Sequence, residues 1–196
     1  EAHATGLIHR DLKPDNMMLC SRGGIPDMLK VLDFGLARVI SSRPERDNLP
    51  IGISGTPLYM PPESITSPQS IDARSDLYSL GAAAYFLLTG FPVFDSESVS
   101  QILHQHISAT PESPSARLGI AVDADLEAVV LQCLAKNPAD RPKSAQELNR
   151  MLSRCEAAKS WGNEEATDWW DRREAFLQTS APALPGAFEP TRLIGA

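Results

Sequence analysis

Two carboxylates, a lysine and a carboxamide lie close together near the start of the chain. Asp11, Lys13 and Asn16 fall within His9-Arg10-Asp11-Leu12-Lys13-Pro14-Asp15-Asn16, and Asp33 opens Asp33-Phe34-Gly35 a short segment later. Hard oxygen donors such as the Asn16 amide and the Asp33 carboxylate suit magnesium. A second carboxylate can take a proton from a hydroxyl nucleophile and align its attack, and a lysine can neutralise charge on a phosphate. Transfer of a phosphoryl group asks little more of a protein than an oriented nucleophile and cations around the phosphate oxygens, and these residue types supply both. Taken singly, each has an ordinary structural reading as a turn residue, a cap or a solvated charge. Their combination in this order carries the signal.

The paired motifs resemble the protein kinase superfamily, whose catalytic loop carries H-R-D with an Asn five residues after the Asp, followed by D-F-G. The resemblance implies ATP and Mg2+ as cofactors. It makes Asp11 the proton acceptor, brings Lys13 to the transferred phosphate, and gives Asn16 and Asp33 the metal. It continues through Gly55-Thr56-Pro57-Leu58-Tyr59-Met60-Pro61-Pro62-Glu63, which looks like the end of an activation segment. Pro61-Pro62-Glu63 stands where the family has A-P-E. By the same likeness Glu63 pairs with Arg141 of Asp140-Arg141-Pro142, and Asp76 accepts backbone N–H bonds that hold His9 and Arg10. Lys13 and Thr56 resemble the serine/threonine-directed branch, with Thr56 bridging toward Asp11 and Lys13 to complete the nucleophile pocket. The segment between Gly55 and Glu63 resembles one that binds peptide, so the partner implied is a protein substrate.

The elements that must position these residues can be read in chain order. Glu1 to Gly6 looks like the last turn of a helix, ending on a glycine stop. Met17 to Cys20 and Leu29 to Leu32 predict a two-strand ribbon around Ser21-Arg22-Gly23-Gly24, which folds the loop carrying Asn16 back toward Asp33. Asp72 to Leu88 is the most apolar stretch and predicts a buried helix. Thr89-Gly90 stops it, and its apolar run is too short to span a bilayer. Leu126, Val129, Val130, Cys133 and Leu134 recur at helical spacing, and Ser144-Ala145-Gln146-Glu147 reads as a capping box before Leu148, Met151 and Leu152. Residues 110 to 120, with Pro111, Pro114 and Gly119, read as a loop. The fold class expected is mainly α, a kinase-like large helical lobe with a short two-strand ribbon, over residues 1–155.

Beyond that lies an extension, 156–196. Glu164 to Gln178 predicts a helix with Trp169, Trp170, Phe176 and Leu177 on one broad apolar face. The adjacent tryptophans suggest docking, either on the chain's own helical lobe or on a partner. Thr179 to Ala196, with Pro182, Pro185 and Pro190, reads as flexible.

Composition is that of an ordinary globular domain. Net charge is −7, hydrophobic content 42% and charged content 22%, without the basic excess that marks nucleic-acid binding. Cys20, Cys133 and Cys155 form no C-x-x-C pair and read as reduced thiols in a cytoplasmic setting. His104 and His106 lie two apart on the helix expected over Val99 to Ile107, hence on different faces and not a zinc pair.

Within these 196 residues only eight precede His9. They contain no glycine-rich loop, strand lysine or helix glutamate of the family's nucleotide-binding small lobe. The expectation is a piece of a serine/threonine protein kinase, missing the small lobe and inactive by itself, with apolar surface left uncovered. Two rivals stand beside it: a non-catalytic, kinase-derived interaction module, and a small-molecule kinase sharing the loop.

Kinases with an arginine before the catalytic Asp often use it to bind a phosphate on their own activation segment, and Arg10 is that residue here. A phosphoserine adds a charge of about −1.5 to −2 that a guanidinium grips through two parallel bonds. Ser41, Ser42 and Ser54 are the candidates, since the role implied for Thr56 is internal. Mass spectrometry of the active kinase should find phosphate between Leu36 and Ser54, and an active enzyme unmodified there would remove the idea.

Overall fold

The structure, a computed structural model, describes residues 2–33 and 55–180. Phe34, Gly35, Ser41, Ser42 and Ser54, and the tail from residue 181 onward, lie outside the described residues.

A 3-10 turn over Ala2–Thr5 ends at Gly6, whose φ of 77° provides the left-handed stop. After the loop carrying Asp11, strands β1 (Met17–Arg22) and β2 (Ile25–Val31) pair antiparallel, with Met17 opposite Val31 and Leu19 opposite Leu29. The ribbon is longer than the sequence pattern predicts because Gly23 and Gly24 both take positive φ, 62° and 79°. They close a two-residue hairpin whose twist matches the flanking strands, so pairing continues to Arg22 and Ile25. Asp27 stands at a break in register, with φ 55°, in a bulge of β2. Met18, Leu19, Ile25 and Leu29 of this ribbon are exposed.

Helices make up most of the remainder. Short α1 (Pro62–Thr66) opens on Pro62, a residue already fixed at a helical φ. Pro61 keeps Met60 extended, at φ −78° and ψ 126°. Helix α2 (Ala73–Thr89) is the central element. Asp72 caps it, accepting the Arg74 N–H at 2.8 Å, while the Ser75 hydroxyl accepts the Asp72 N–H at 3.3 Å. Gly90 ends it at φ 75°. Tyr78, Ala82, Ala83 and Tyr85 of α2 bury against Tyr59, Val93, Phe94, Val130 and Leu134. Its other side, through Leu77, packs on Val129, Cys133, Leu148 and Cys155.

Around α2 lie α3 (Val99–Ser108), α4 (Pro114–Leu118), α5 (Ala124–Cys133) and α6 (Ala145–Leu152), followed by α7 (Glu156–Lys159) and α8 (Asn163–Ser180). Three details depart from the sequence reading. Residues 110 to 120 contain α4: Ser113 caps it, Pro114 occupies its first turn, and Gly119 closes it in the left-handed region. Ser144 accepts the Glu147 N–H at 3.1 Å, but Glu147 reaches back to the Lys143 N–H at 2.6 Å, so the capping box is displaced by one residue. Helix α8 runs on to Ser180, making Thr179 helical; Ala166 is buried and Phe176 exposed.

His106 is fully buried in α3 with its Nδ1 2.8 Å from the Tyr78 hydroxyl, whereas His104 is exposed. Burial, reinforced by the charge of Lys136, depresses His106 to about 4. Burial likewise pushes the Cys133 thiol up to about 12, the behaviour of an inert structural thiol.

Helices α2 and α5 approach closely at Gly81, where a β-carbon would stand 2.5 Å from Cys133 Cβ. Glycine in mid-helix costs roughly 0.5–1 kcal/mol relative to alanine, and here the near approach of α2 to α5 requires it. Gly81→Ala should destabilise the fold by about 1–3 kcal/mol despite its better helix propensity, as overpacking outweighs that gain. Urea unfolding checks this, with no change or a gain in midpoint counting against the packing account.

Candidate active site

The catalytic-loop residues are held from beneath by α2. Asp76 is buried in its first turn, and its carboxylate accepts the His9 N–H (Oδ2) and the Arg10 N–H (Oδ1), each at 2.8 Å. His3 Nε2 meets Oδ2 at 2.8 Å from the preceding turn. These bonds hold Arg10 at φ 69°, a left-handed conformation costing a non-glycine residue of order 1–3 kcal/mol. The strain persists because the carboxylate fixes the amides on both sides of His9, the second being the Arg10 N–H itself.

His9 then ties the loop to the ribbon. Its Nδ1 accepts the Asp11 N–H at 3.3 Å, so Nε2 carries the hydrogen and donates it to the Leu32 carbonyl at 2.8 Å. The Leu32 N–H in turn donates to the Asn16 carbonyl at 2.8 Å. Residue 32 is thereby fastened to both ends of the loop, and Asp33, at φ 54°, follows directly.

Within the loop the side chains form a closed set. Asn16, mostly buried, donates Nδ2–H to the Asp11 carbonyl at 2.8 Å and approaches Asp11 Oδ2 at 3.4 Å. Asp11 Oδ1 accepts from the Thr56 N–H and the Thr56 hydroxyl, each at 3.1 Å. Lys13 Nζ donates to Thr56 Oγ1 at 2.7 Å and lies 3.1 Å from Asp11 Oδ2. Gly55 makes this approach possible: its φ of 128° is closed to other residues, and a β-carbon there would point at the Arg10 carbonyl and the Asp11 carboxylate. Asp11, Lys13, Asn16 and Thr56 thus meet at one place, and Asp33 comes next in the chain after Leu32, which is bonded to His9 and Asn16.

Further back, Glu63 and Arg141 pair in the interior, Nη1 to Oε1 at 2.6 Å and Nη2 to Oε2 at 2.8 Å. The remaining guanidinium hydrogens go to the carbonyls of Arg74, Ala135 and Lys136, so all five donors are used. Ser75 donates its hydroxyl to Glu63 Oε1 at 2.6 Å. The pair ties the segment ending at α1 to α2 and to the loop after α5.

Sequence reasoning missed Ser75, whose hydroxyl joins the cap of α2 to Glu63, and His3, the third partner of Asp76. Asp72-x-x-Ser75 has the spacing of a capping box, but nothing local marks the bond from Ser75 to Glu63 or the one from His3 to Asp76, 73 positions away. Among the described residues no group of three or more His, Cys, Asp or Glu side chains could hold a metal ion, and no helix is long and apolar enough to cross a membrane.

This arrangement can orient a hydroxyl at Asp11, place a cation near a transferred phosphate through Lys13, and offer oxygen ligands from Asn16 and Asp33. The chain belongs to the protein kinase family, whose domain model matches residues 2–152. It is 42% identical over 149 residues to the serine/threonine-protein kinase pkn3 of Myxococcus xanthus, covering 74% of this chain and 27% of that protein. Against serine/threonine-protein kinase PknB of Mycobacterium tuberculosis the identity is 42% over 153 residues, 78% of this chain and 24% of the relative. The probable serine/threonine-protein kinase PknB of Corynebacterium glutamicum is 35% identical over 195 residues, 95% of this chain and 29% of that protein. The chain therefore spans about a quarter of the length of these relatives.

Burial by itself would raise the Glu63 carboxyl, but hydrogen bonds from Arg141 and Ser75 and the guanidinium charge outweigh it and hold the group below its ordinary value. A depressed carboxylate contributes stability above its unfolded value, near 4.3, that is lost as pH falls through the lower folded value. Arg141→Ala, which strands the buried carboxylate, should cost about 3–5 kcal/mol at pH 7. Denaturant unfolding of the variant and the parent at pH 7 and pH 4 should show that difference shrink toward the acid side; a constant difference would contradict the ion-pair account.

Proposed function

We propose that this chain carries the catalytic loop and substrate-side lobe of a protein serine/threonine kinase that transfers the γ-phosphoryl group of ATP to a serine or threonine hydroxyl of a protein. The observation that supports it most is the convergence of Thr56, Lys13 and Asn16 on Asp11. That set aims a carboxylate at one spot with a cation alongside, and leaves it open to solvent on the remaining side.

Each residue then has a role. Asp11 accepts the hydroxyl proton as the oxygen attacks phosphorus and ADP departs. Lys13, held by Thr56 Oγ1, faces the transferred phosphate. Asn16 commits its Nδ2 to Asp11, so the amide oxygen is its ligand atom. With the Asp33 carboxylate it makes a hard-oxygen pair suited to Mg2+, which when bound neutralises charge on the phosphates. Asp76, His9 and Arg10 hold the loop, and Glu63 with Arg141 holds the substrate-side segment. The buried, unoxidised Cys133 and Cys155 fit a cytoplasmic setting, which belongs to the same reading.

Positioned proton acceptors contribute roughly 10²–10⁴-fold to rate. In the kinase containing this chain, Asp11→Asn should lower kcat by that order while leaving KM for ATP nearly unchanged. The 196-residue chain alone should show no turnover above its own Asp11→Asn control with labelled ATP, Mg2+ and a serine peptide, since two protein ligands hold Mg2+ weakly without nucleotide phosphates. An Asp11→Asn enzyme keeping most of its activity would sink the assignment.

A further inference from the structure

The family match ends at residue 152, yet the chain beyond it is not detached. Helix α8 lies against β2, and two indoles from this region converge on one carboxylate: Trp161 Nε1 donates to Asp27 Oδ2 at 2.7 Å, and Trp170 Nε1 donates to Asp27 Oδ1 at 2.8 Å. Both acceptor oxygens of Asp27 are used by residues more than a hundred positions away.

The backbone at Asp27 is built for this contact. Asp27 occupies the left-handed region, φ 55°, at the bulge of β2. Aspartate is among the few residues other than glycine that tolerate that conformation, and a bulge re-aims a side chain out of the regular pleat. The receiving side is equally ordered. The Arg173 guanidinium lies 5.3 Å over the Trp170 ring, and Trp169 meets Trp170 edge-on at 5.1 Å. Ala166, one turn earlier on the same face of α8, is 3% exposed. Hydrogen bonds to an ionised acceptor are the strong kind, and an indole N–H donates only, so the pairing is selective.

What β2 leads to gives the contact its importance. Four residues after Asp27 the strand ends at Val31, then Leu32 bonds His9 and Asn16, and Asp33 follows. We propose that residues 161–170 form a latch on Asp27 that steadies β2 from outside the catalytic loop, making Asp27 a positioning residue for Asp33. The role of Asp33 rests on the kinase reading above; the latch itself does not.

Hydrogen–deuterium exchange of the 196-residue chain, without nucleotide, tests the latch. Asp27→Gly keeps the left-handed backbone unstrained and removes the carboxylate together with its methylene; Trp161→Phe with Trp170→Phe leaves residue 27 and its backbone untouched, keeps a smaller aromatic ring at each position and removes the N–H donors. Both should speed exchange of residues 163–180 and 28–33 by about tenfold or more, with α2 and α5 unchanged and tryptophan emission red-shifted in Asp27→Gly. Unchanged exchange in α8 would overturn the latch, and a freed α8 with an unchanged 28–33 would overturn the positioning role. In the kinase containing this chain, Asp27→Gly should raise KM for Mg2+–ATP several-fold with the unfolding midpoint of the helical core unmoved. An unaltered KM beside loosened 28–33 amides would overturn the link to Asp33 while leaving the latch standing.

Discussion

A carboxylate held out of water by α2, and given backbone amides in place of solvent, is the constraint on which the site's geometry depends. Asp76 sits at 2% exposure, where an unsatisfied charge would be very costly. The His9 and Arg10 amides, with His3, supply the donors it needs. The same bonds force Arg10 into a left-handed conformation, and that turn sends Asp11 toward Thr56. Helix and loop therefore stabilise one another: neither the buried charge nor the strained peptide would persist without the other.

The Glu63–Arg141 pair repeats the principle at the segment that leads into α1. Its energetic value as a stabiliser is ambiguous in general, since burying two charges costs about what their attraction returns. Its geometric value is clearer. A planar guanidinium with all five hydrogens assigned admits one arrangement of the segment before α1, the start of α2 and the loop after α5. Thr56 approaches Asp11 only from a backbone set this way and turned at Gly55.

Much of this was legible in the sequence, for reasons that differ by element. The α2 helix announced itself through apolar content and the Thr89-Gly90 stop, both local signals. The catalytic loop was legible because its chemistry needs particular side chains at fixed spacing. Local pattern understates the ribbon, as pairing beyond Cys20 depends on both glycines taking positive φ. Helix α4 carries the turn signals Pro111, Pro114 and Gly119, yet Pro114 and Gly119 are the residues that begin and end a short helix. Periodicity puts Trp169, Trp170, Phe176 and Leu177 on one broad apolar face, whereas Ala166 is buried there and the contact with Asp27 is made by the indole N–H groups of Trp161 and Trp170. Contacts such as Asp27 with Trp170, spanning 143 positions, leave no mark in local pattern.

The ribbon has only two strands among the described residues, and a lone hairpin is barely stable in water. Its apolar residues Met18, Leu19, Ile25 and Leu29 face outward, so little of its cohesion comes from a core of its own. It borrows rigidity from neighbours at each end, the loop on one side and α8 on the other. The chain thus enters Asp33 from a marginal hairpin whose outside partners lie far away in sequence.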